Sequence, residues 1–220
     1  MARREDSTRI VGLGAGTHAK SVLETLRSTG EFEPVALIDD DPGRAGADIL
    51  GVPVVHGEPA LARVRADGVR HGFVGVGGVE DSEPRRRVFE RLRDASFDLP
   101  PLVHAAATVS RGARLGAGAQ IFATAVVNVD AEVGDGAIVN TGAIIEHDCR
   151  IGAHAHVAPG VRLAGLVSVG AGAHIGIGAV VIEGIRIGAG ALVAAGAVVV
   201  GDVDDGARVA GVPARAISLR

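Results

Sequence analysis

Aromatic residues are almost missing from this 220-residue sequence: there are five Phe and neither Trp nor Tyr. A core must therefore be assembled from Val, Ile, Leu and Ala, which suits a narrow interior better than a broad one. Hydrophobic residues make up 47% of the chain, ample for burial. One cysteine, Cys149, excludes an intramolecular disulfide and fits a reducing compartment. Lysine occurs once, as Lys20; the other basic residues are arginines. With a net charge of −4 there is no electrostatic footprint for nucleic acid. No apolar run reaches the length of a membrane span. The polar start, residues 1–7, is expected to fray, and Met1 to Asp6 has no apolar signal core. A cytoplasmic protein is expected.

What the sequence has in quantity is periodicity. From Val103 to Val199, every sixth position is Val, Leu or Ile, seventeen times without an insertion. Four residues after each stands a small or medium apolar residue, mostly Ala, with Cys149 in the same series. A second period of eighteen overlies the first. Leu115-Gly116-Ala117-Gly118-Ala119 returns from Val133, Ile151, Val169 and Ile187. Fixed short periods mark a solenoid, and eighteen residues give one coil of three short strands. The expected fold is a parallel β-helix of triangular section, its branched aliphatics stacked inside. After Val199 the repeat is expected to dissolve.

The first hundred residues differ. Strands are expected at Thr8–Leu13, Val35–Ile38, Val52–Val55 and Gly72–Val76. Helices are expected over Ser21–Ser28, Pro59–Ala66 and Glu83–Ala95, the last with Val88, Phe89 and Leu92 inward. Alternating strands and helices make a small parallel, Rossmann-like α/β unit. Pro100-Pro101 marks its end, giving domains 1–100 and 101–220. Arg85-Arg86-Arg87 reads as the solvated face of the third helix.

Three patterns carry chemistry. Gly14-Ala15-Gly16-Thr17-His18 lies between a strand and a helix, where backbone N–H groups and the helix end suit a phosphate. Thr17 stands where a dinucleotide fingerprint needs its third glycine, which disfavours NAD. Asp39 and Asp40 close the second strand, either as acceptors for a nucleotide base or ribose or as turn-forming residues. The second pattern is Glu146-His147-Asp148, which lies on the least repetitive of the three solenoid faces; broken regularity marks candidate function. Because Ile145 and Cys149 face inward, His147 projects outward beside a carboxylate, a general-base arrangement. Gly165, eighteen residues on, should stack against it one coil away, as His174 should stack on His156. The third is the set of eight histidines, whose spacing gives no reason to expect a metal. Cys149, in the inward column, reads as a buried, inert thiol.

Unbroken hexapeptide repeats of this kind resemble the left-handed β-helix of the hexapeptide-repeat acyltransferases. Together with the loop Gly14 to Lys20 and the strand end Ile38-Asp39-Asp40, they resemble the sialic-acid and bacillosamine-pathway sugar acetyltransferases. The resemblance covers nearly the whole chain. It departs at Thr17, where the family usually has the second of two glycines before the histidine. It implies a homotrimer that uses acetyl-CoA without metal, on a nucleotide-linked amino sugar of the UDP-4-amino-dideoxy type. Gly14, Gly16, Thr17, His18, Asp39 and Asp40 would then hold the sugar nucleotide. His147 would be the base, supported by Asp148, with Gly165 at the oxyanion and His156 near the acetyl group. Gly211-Val212-Pro213-Ala214-Arg215 resembles the closing motif near the adenosine end of the cofactor. O-acetylation of a sialic acid or related sugar, an inactive sugar-nucleotide-binding trimer and a metal-dependent lyase stand as alternatives.

Overall fold

The computed structural model describes residues 8–78 and 81–217. The expected polar start over residues 1–7 lies outside the described residues.

The chain opens with β1 (Thr8–Leu13), α1 (Thr17–Thr29), β2 (Phe32–Asp39), β3 (Asp48–Ile49), β4 (Val52–His56), α2 (Glu58–Ala66), β5 (His71–Val74) and α3 (Glu83–Asp94). The sheet order is β3-β4-β2-β1-β5, parallel except between β3 and β4. Its strands read as apolar runs because both faces are covered. Ala19, Val22, Leu23 and Leu26 follow the helical 3/4 spacing and are buried. They lay α1 on one face with Ile10, Leu37 and Phe73. α2 and α3 cover the other face through Leu61, Phe89 and Leu92. α1 ends where Gly30 takes a left-handed φ of 66° and its N–H returns to the Leu26 carbonyl. α1 starts four residues earlier than the sequence pattern suggested, so Thr17, His18 and Lys20 lie on the helix rather than in the loop. The short β3 also carried no pattern of its own.

From Leu102 onward the backbone winds through two-residue strands six residues apart, stacked into three parallel sheets. Each strand pairs with the one eighteen residues away, as Val127 with Ile145 and Ile145 with Leu163. The inward column from Ile121 to Val199 is buried, while Val103, Val109 and Leu115 are only partly covered at the open end. Cys149 occupies an alanine position inside; its thiol donates to the Ala164 carbonyl (3.1 Å), and burial pushes its pKa up.

Two expectations need correction. The repeat does not dissolve after Val199. It loses two residues and continues, with Val203 pairing Ile187 and Val209 pairing Val193. The end is closed by Arg208–Ala210 and the antiparallel strand Arg215–Ala216, with Gly211-Val212-Pro213-Ala214 as the connecting turn. Nor is Arg85 part of a solvated face. It is 2% exposed, because positions 85, 89 and 92 lie on one stripe of α3 and that stripe packs inward.

The residue before each inward anchor points out, and the three sheets differ there. One row is Leu102, Gln120, Ile138, His156, His174 and Leu192, on the sheet that faces the α/β unit. Leu102, Phe122 and Ile138 join the core beneath α1. The second row, Arg114, Glu132, Arg150, Ser168 and Arg186, is polar and borders a groove of about 600 Å³. The third, Thr108, Val126, Ile144, Arg162, Val180 and Val198, is mostly apolar, and its valines and isoleucine are only half-buried.

Because the interior is close-packed, a void in a central coil cannot collapse. Ile175→Ala is expected to cost about 2–5 kcal/mol, measured by denaturant unfolding.

Candidate active site

His147 and Asp148 form the turn between Ile144–Ile145 of the apolar-row sheet and Arg150–Ile151 of the polar-row sheet. The irregular column is thus a corner of the triangle, not a flat face. In successive coils the second turn residue takes a left-handed φ: Asp130 at 58°, Asp148 at 59°, Leu166 at 64° and Gly184 at 74°. Aspartate tolerates this conformation better than most residues. The geometry turns the Asp148 carboxylate back onto its neighbour, so His147 Nδ1 lies 2.9 Å from Asp148 Oδ2. The carboxylate only accepts, so Nδ1 carries the proton and Nε2 presents its lone pair outward. The hydrogen bond to Asp148 raises the His147 pKa above its ordinary value, against a smaller desolvation effect. Glu146 is engaged elsewhere, accepting from Asn128 Nδ2 at 2.9 Å one coil away.

Gly165 lies where the eighteen-residue spacing put it. A Cβ built there would fall 2.6 Å from His147 Cε1 and 2.7 Å from Nε2, so only glycine lets the imidazole lie across this corner. Its carbonyl accepts from the Gly184 N–H, while its own N–H donates to no group among the described residues. Exposed Val129, Leu166 and Ile182 surround the pair with apolar surface.

The second cluster lies at the carboxyl ends of the α/β strands. Chain order reverses between β1 and β5, the switch point where open parallel sheets bind ligands. Gly14 turns the chain there with φ 100°, and Val76 packs against it so closely that a Cβ would lie 2.4 Å away. Gly16 precedes α1 with no side-chain cap, and the first turn of α1 has no acidic residue. Ala19 N returns to the Gly16 carbonyl at 3.2 Å, while the N–H groups of Thr17 and His18 meet no partner among the described residues. Asp39 organises this loop, accepting from Ala15 N (2.7 Å) and Asp41 N (2.9 Å). Asp40 is paired with Arg91 through two contacts, at 2.6 and 3.2 Å. Arg44, which the sequence pattern did not single out, donates to the Ala15 carbonyl at 2.7 Å and brings a half-exposed guanidinium to the loop.

His18 and His156 lie between the two parts of the chain. Gln120 accepts at Oε1 from Arg85 and donates through Nε2 to the Val74 carbonyl (2.8 Å). His18 Nε2, 2.8 Å from the same Oε1, is therefore the donor. His156 Nδ1 donates to the Gly78 carbonyl (2.6 Å), and Nε2 accepts from Asn140 (3.1 Å). His156 also meets His174 edge to face at 5.0 Å, and the two strands pair directly. His174 thus stacks on His156 as the eighteen-residue spacing placed it, both in strands. Burial pushes both His18 and His156 down to about 4. Within one chain, His156 is on a different side of the triangle from His147; the sequence had grouped them. Among the described residues, no three His, Cys, Asp or Glu side chains gather as metal ligands.

Two outcomes follow for titration. The His147 ring followed by NMR is expected to titrate above 6.5, and Asp148→Asn to bring it down. For His18 and His156 the folded pKa lies below the unfolded one, so their contribution is full above about 6.5 and is lost as pH falls toward 4. Denaturant unfolding is expected to show that loss, with a shallower slope in His156→Gln.

Comparison with known proteins bears on both clusters. Residues 9–92 match the model of the PglD N-terminal domain. Residues 130–165 match that of the bacterial transferase hexapeptide, six repeats. A search of curated proteins finds no match. Among solved structures, PerB from Caulobacter crescentus, in complex with CoA and GDP-perosamine, is 43% identical with a TM-score of 0.88. The match covers 95% of this chain and 97% of that one. A mutant of GDP-perosamine N-acetyl transferase from the same organism, with the same two ligands, is 44% identical with a TM-score of 0.88, covering 95% and 96%. The acetyltransferase domain of PglB from Neisseria gonorrhoeae, in complex with acetyl coenzyme A, is 34% identical with a TM-score of 0.86, covering 96% and 100%. No helix among the described residues is long and apolar enough to cross a membrane. Sharing both parts in the same order and at this identity, the chain belongs to the hexapeptide-repeat sugar N-acetyltransferases of the bacillosamine- and perosamine-pathway type.

Proposed function

We propose that this protein transfers the acetyl group of acetyl-CoA to the amino group of a nucleotide-linked 4-amino-dideoxy sugar. The observation that carries this is the His147–Asp148 pair lying across Gly165, in a chain 43% identical to PerB, which was solved with CoA and GDP-perosamine.

Residues 1–100 form the domain that holds the sugar nucleotide and residues 101–220 the acyltransferase domain. At the switch point, the loop Gly14–Thr17 and the uncapped start of α1 face the diphosphate, with His18 and the ordered Asp39–Asp40 segment beside it. Acetyl-CoA runs along the solenoid groove bordered by Arg150 and Arg186. His147 Nε2 takes a proton as the neutral sugar amine attacks the thioester carbonyl. The Gly165 N–H donates to the oxygen as it becomes an oxyanion. Asp148 stabilises the imidazolium. Collapse of the tetrahedral intermediate breaks the carbon–sulfur bond, and the proton held by His147 goes to the departing thiolate. The products are the N-acetylated sugar and free CoA. The buried Cys149 takes no part, so no acyl-enzyme forms.

The active assembly is a homotrimer of left-handed β-helices in the cytoplasm. The half-buried Val126, Ile144, Val180 and Val198 and the exposed apolar residues at the His147 corner support association of copies. So does the separation of His147 from His156 within one chain. If His156 lies near the acetyl group, it is contributed across the interface.

The test is release of CoA thiol with GDP- and UDP-linked 4-amino sugars and with the free amino sugars. Wild type is expected to respond to a nucleotide-linked amine. His147→Ala is expected to lose about 10²–10⁴-fold in kcat; full turnover by that variant would overturn the assignment. Because only neutral His147 accepts the proton, kcat/KM is expected to rise with pH through a pKa above 6.5. Asp148→Asn should move that limb to lower pH as well as slowing turnover.

A further inference from the structure

The nucleotide-sugar loops and the catalytic corner belong to different parts of the chain. Something must fix the distance between them. The segment after β5 forms one wall of the switch-point crevice, against Gly14. Along it, three alternate carbonyls are taken by donors. Val74 O receives Gln120 Nε2 at 2.8 Å, Val76 O receives Arg85 Nη1 at 2.9 Å, and Gly78 O receives His156 Nδ1 at 2.6 Å. Gln120 and His156 are solenoid residues. Arg85 belongs to α3, but its other contacts are solenoid groups: Gly136 O from Nε at 3.0 Å and Nη2 at 2.8 Å, and Gln120 Oε1 from Nη1 at 3.3 Å.

Among the described residues, Arg85 is therefore the one cation that binds the crevice wall and two coils of the solenoid at once. It is buried with no carboxylate partner among the described residues, and burial pulls its pKa down. A desolvated guanidinium in this setting is costly, and an apolar residue of similar volume would pack the same space more cheaply. Its planar fork, however, reaches divergent acceptors that a single ammonium cannot. Gln120 repeats the arrangement from the other side, linking Val74 O, Arg85 and His18 in one network.

We propose that Arg85 is a positioning residue for the acceptor: by strapping the Val74–Gly78 wall to the solenoid, it sets where the bound nucleotide sugar presents its amine. This rests on the proposed function. The effect should be confined to the substrate held by the α/β unit. Acetyl-CoA, held by the solenoid, should not sense it.

The experiment compares wild type, Arg85→Met, Arg85→Lys and, as a surface control on the same helix, Arg86→Met. KM is measured separately for the nucleotide-linked amino sugar and for acetyl-CoA, on folded protein recovered by gel filtration. Arg85→Met is expected to raise the sugar-nucleotide KM at least tenfold while the acetyl-CoA KM stays within twofold. Arg85→Lys should recover part of the loss, and Arg86→Met should match wild type. Equal changes in both KM values, or an unchanged kcat and KM for the nucleotide-linked sugar, would overturn the proposal. Should Arg85→Met fail to fold, Gln120→Leu is read for the same split; loss of folded protein in both would assign these residues to the fold and overturn it too. If wild type acetylates no nucleotide-linked sugar, the proposed function has failed instead. Calorimetry with GDP and with UDP then reads the strap directly: tenfold weaker binding by Arg85→Met supports it, and unchanged binding overturns it.

Discussion

A coil of three two-residue strands leaves room inside for one branched side chain per side and a small apolar side chain at each corner, mostly Ala, with Val161, Val167 and Ile185 the larger members. That narrowness is the constraint on which the structure depends. It explains the six-residue period, the near absence of aromatics from the solenoid and the alanine series, which Cys149 joins as a substitute of similar size. It also leaves each coil few positions that are free to vary: the outward residue of each strand and the two turn residues at each corner. Whatever chemistry the solenoid does must be written there. His147 and Asp148 are turn residues, and their contact depends on the left-handed backbone at Asp148 that the tight corner imposes.

The outward rows show how the same scaffold meets three environments. One row is covered by the α/β unit and carries Leu, Ile, Gln and His. One borders a polar groove and carries Arg, Glu and Ser. The third is apolar without a partner in a single chain. Eighteen-residue stacking keeps each row in one environment along its length, so a coil's three sides are distinguished by what lies against them rather than by backbone geometry.

These rows also define what was legible beforehand. The inward column, the coil length and the stacking of Gly165 against His147 all follow from period alone, because a strict repeat leaves no freedom in register. The α/β elements were legible wherever strands were apolar and helices amphipathic. Arg85 was misplaced because three consecutive arginines look solvated, although the 85, 89, 92 spacing sets Arg85 on the buried stripe. The continuation past Val199 was hidden by a two-residue deletion, which breaks a period count but not the stacking of Val203 and Val209. The loop after β5 gave a weaker signal, since glycines at 75, 77 and 78 look like a strand fraying. Their carbonyls matter, and a carbonyl leaves no trace in sequence. Asp39 could be read either as a ligand acceptor or as a turn former; its oxygens accept from Ala15 N in the loop after β1 and from Asp41 N in its own turn.

The histidines make the division of labour explicit. His18 and His156 are locked as neutral rings, each donating to an uncharged acceptor in a buried seam, where a proton would cost desolvation and face Arg85. His147 is exposed, and its proton is stabilised by Asp148. Residues with the same intrinsic basicity are thus driven in opposite directions by position alone. Near neutral pH the seam keeps its charge pattern, with Arg85 as its single buried cation among the described residues, while the corner cycles a proton. A base that changes charge at each turnover is compatible with a rigid seam only if the two do not share a network. Within one chain they do not: His147 hangs on a corner column whose contacts run to Asp148 and Gly165. The seam's contacts run to the crevice wall.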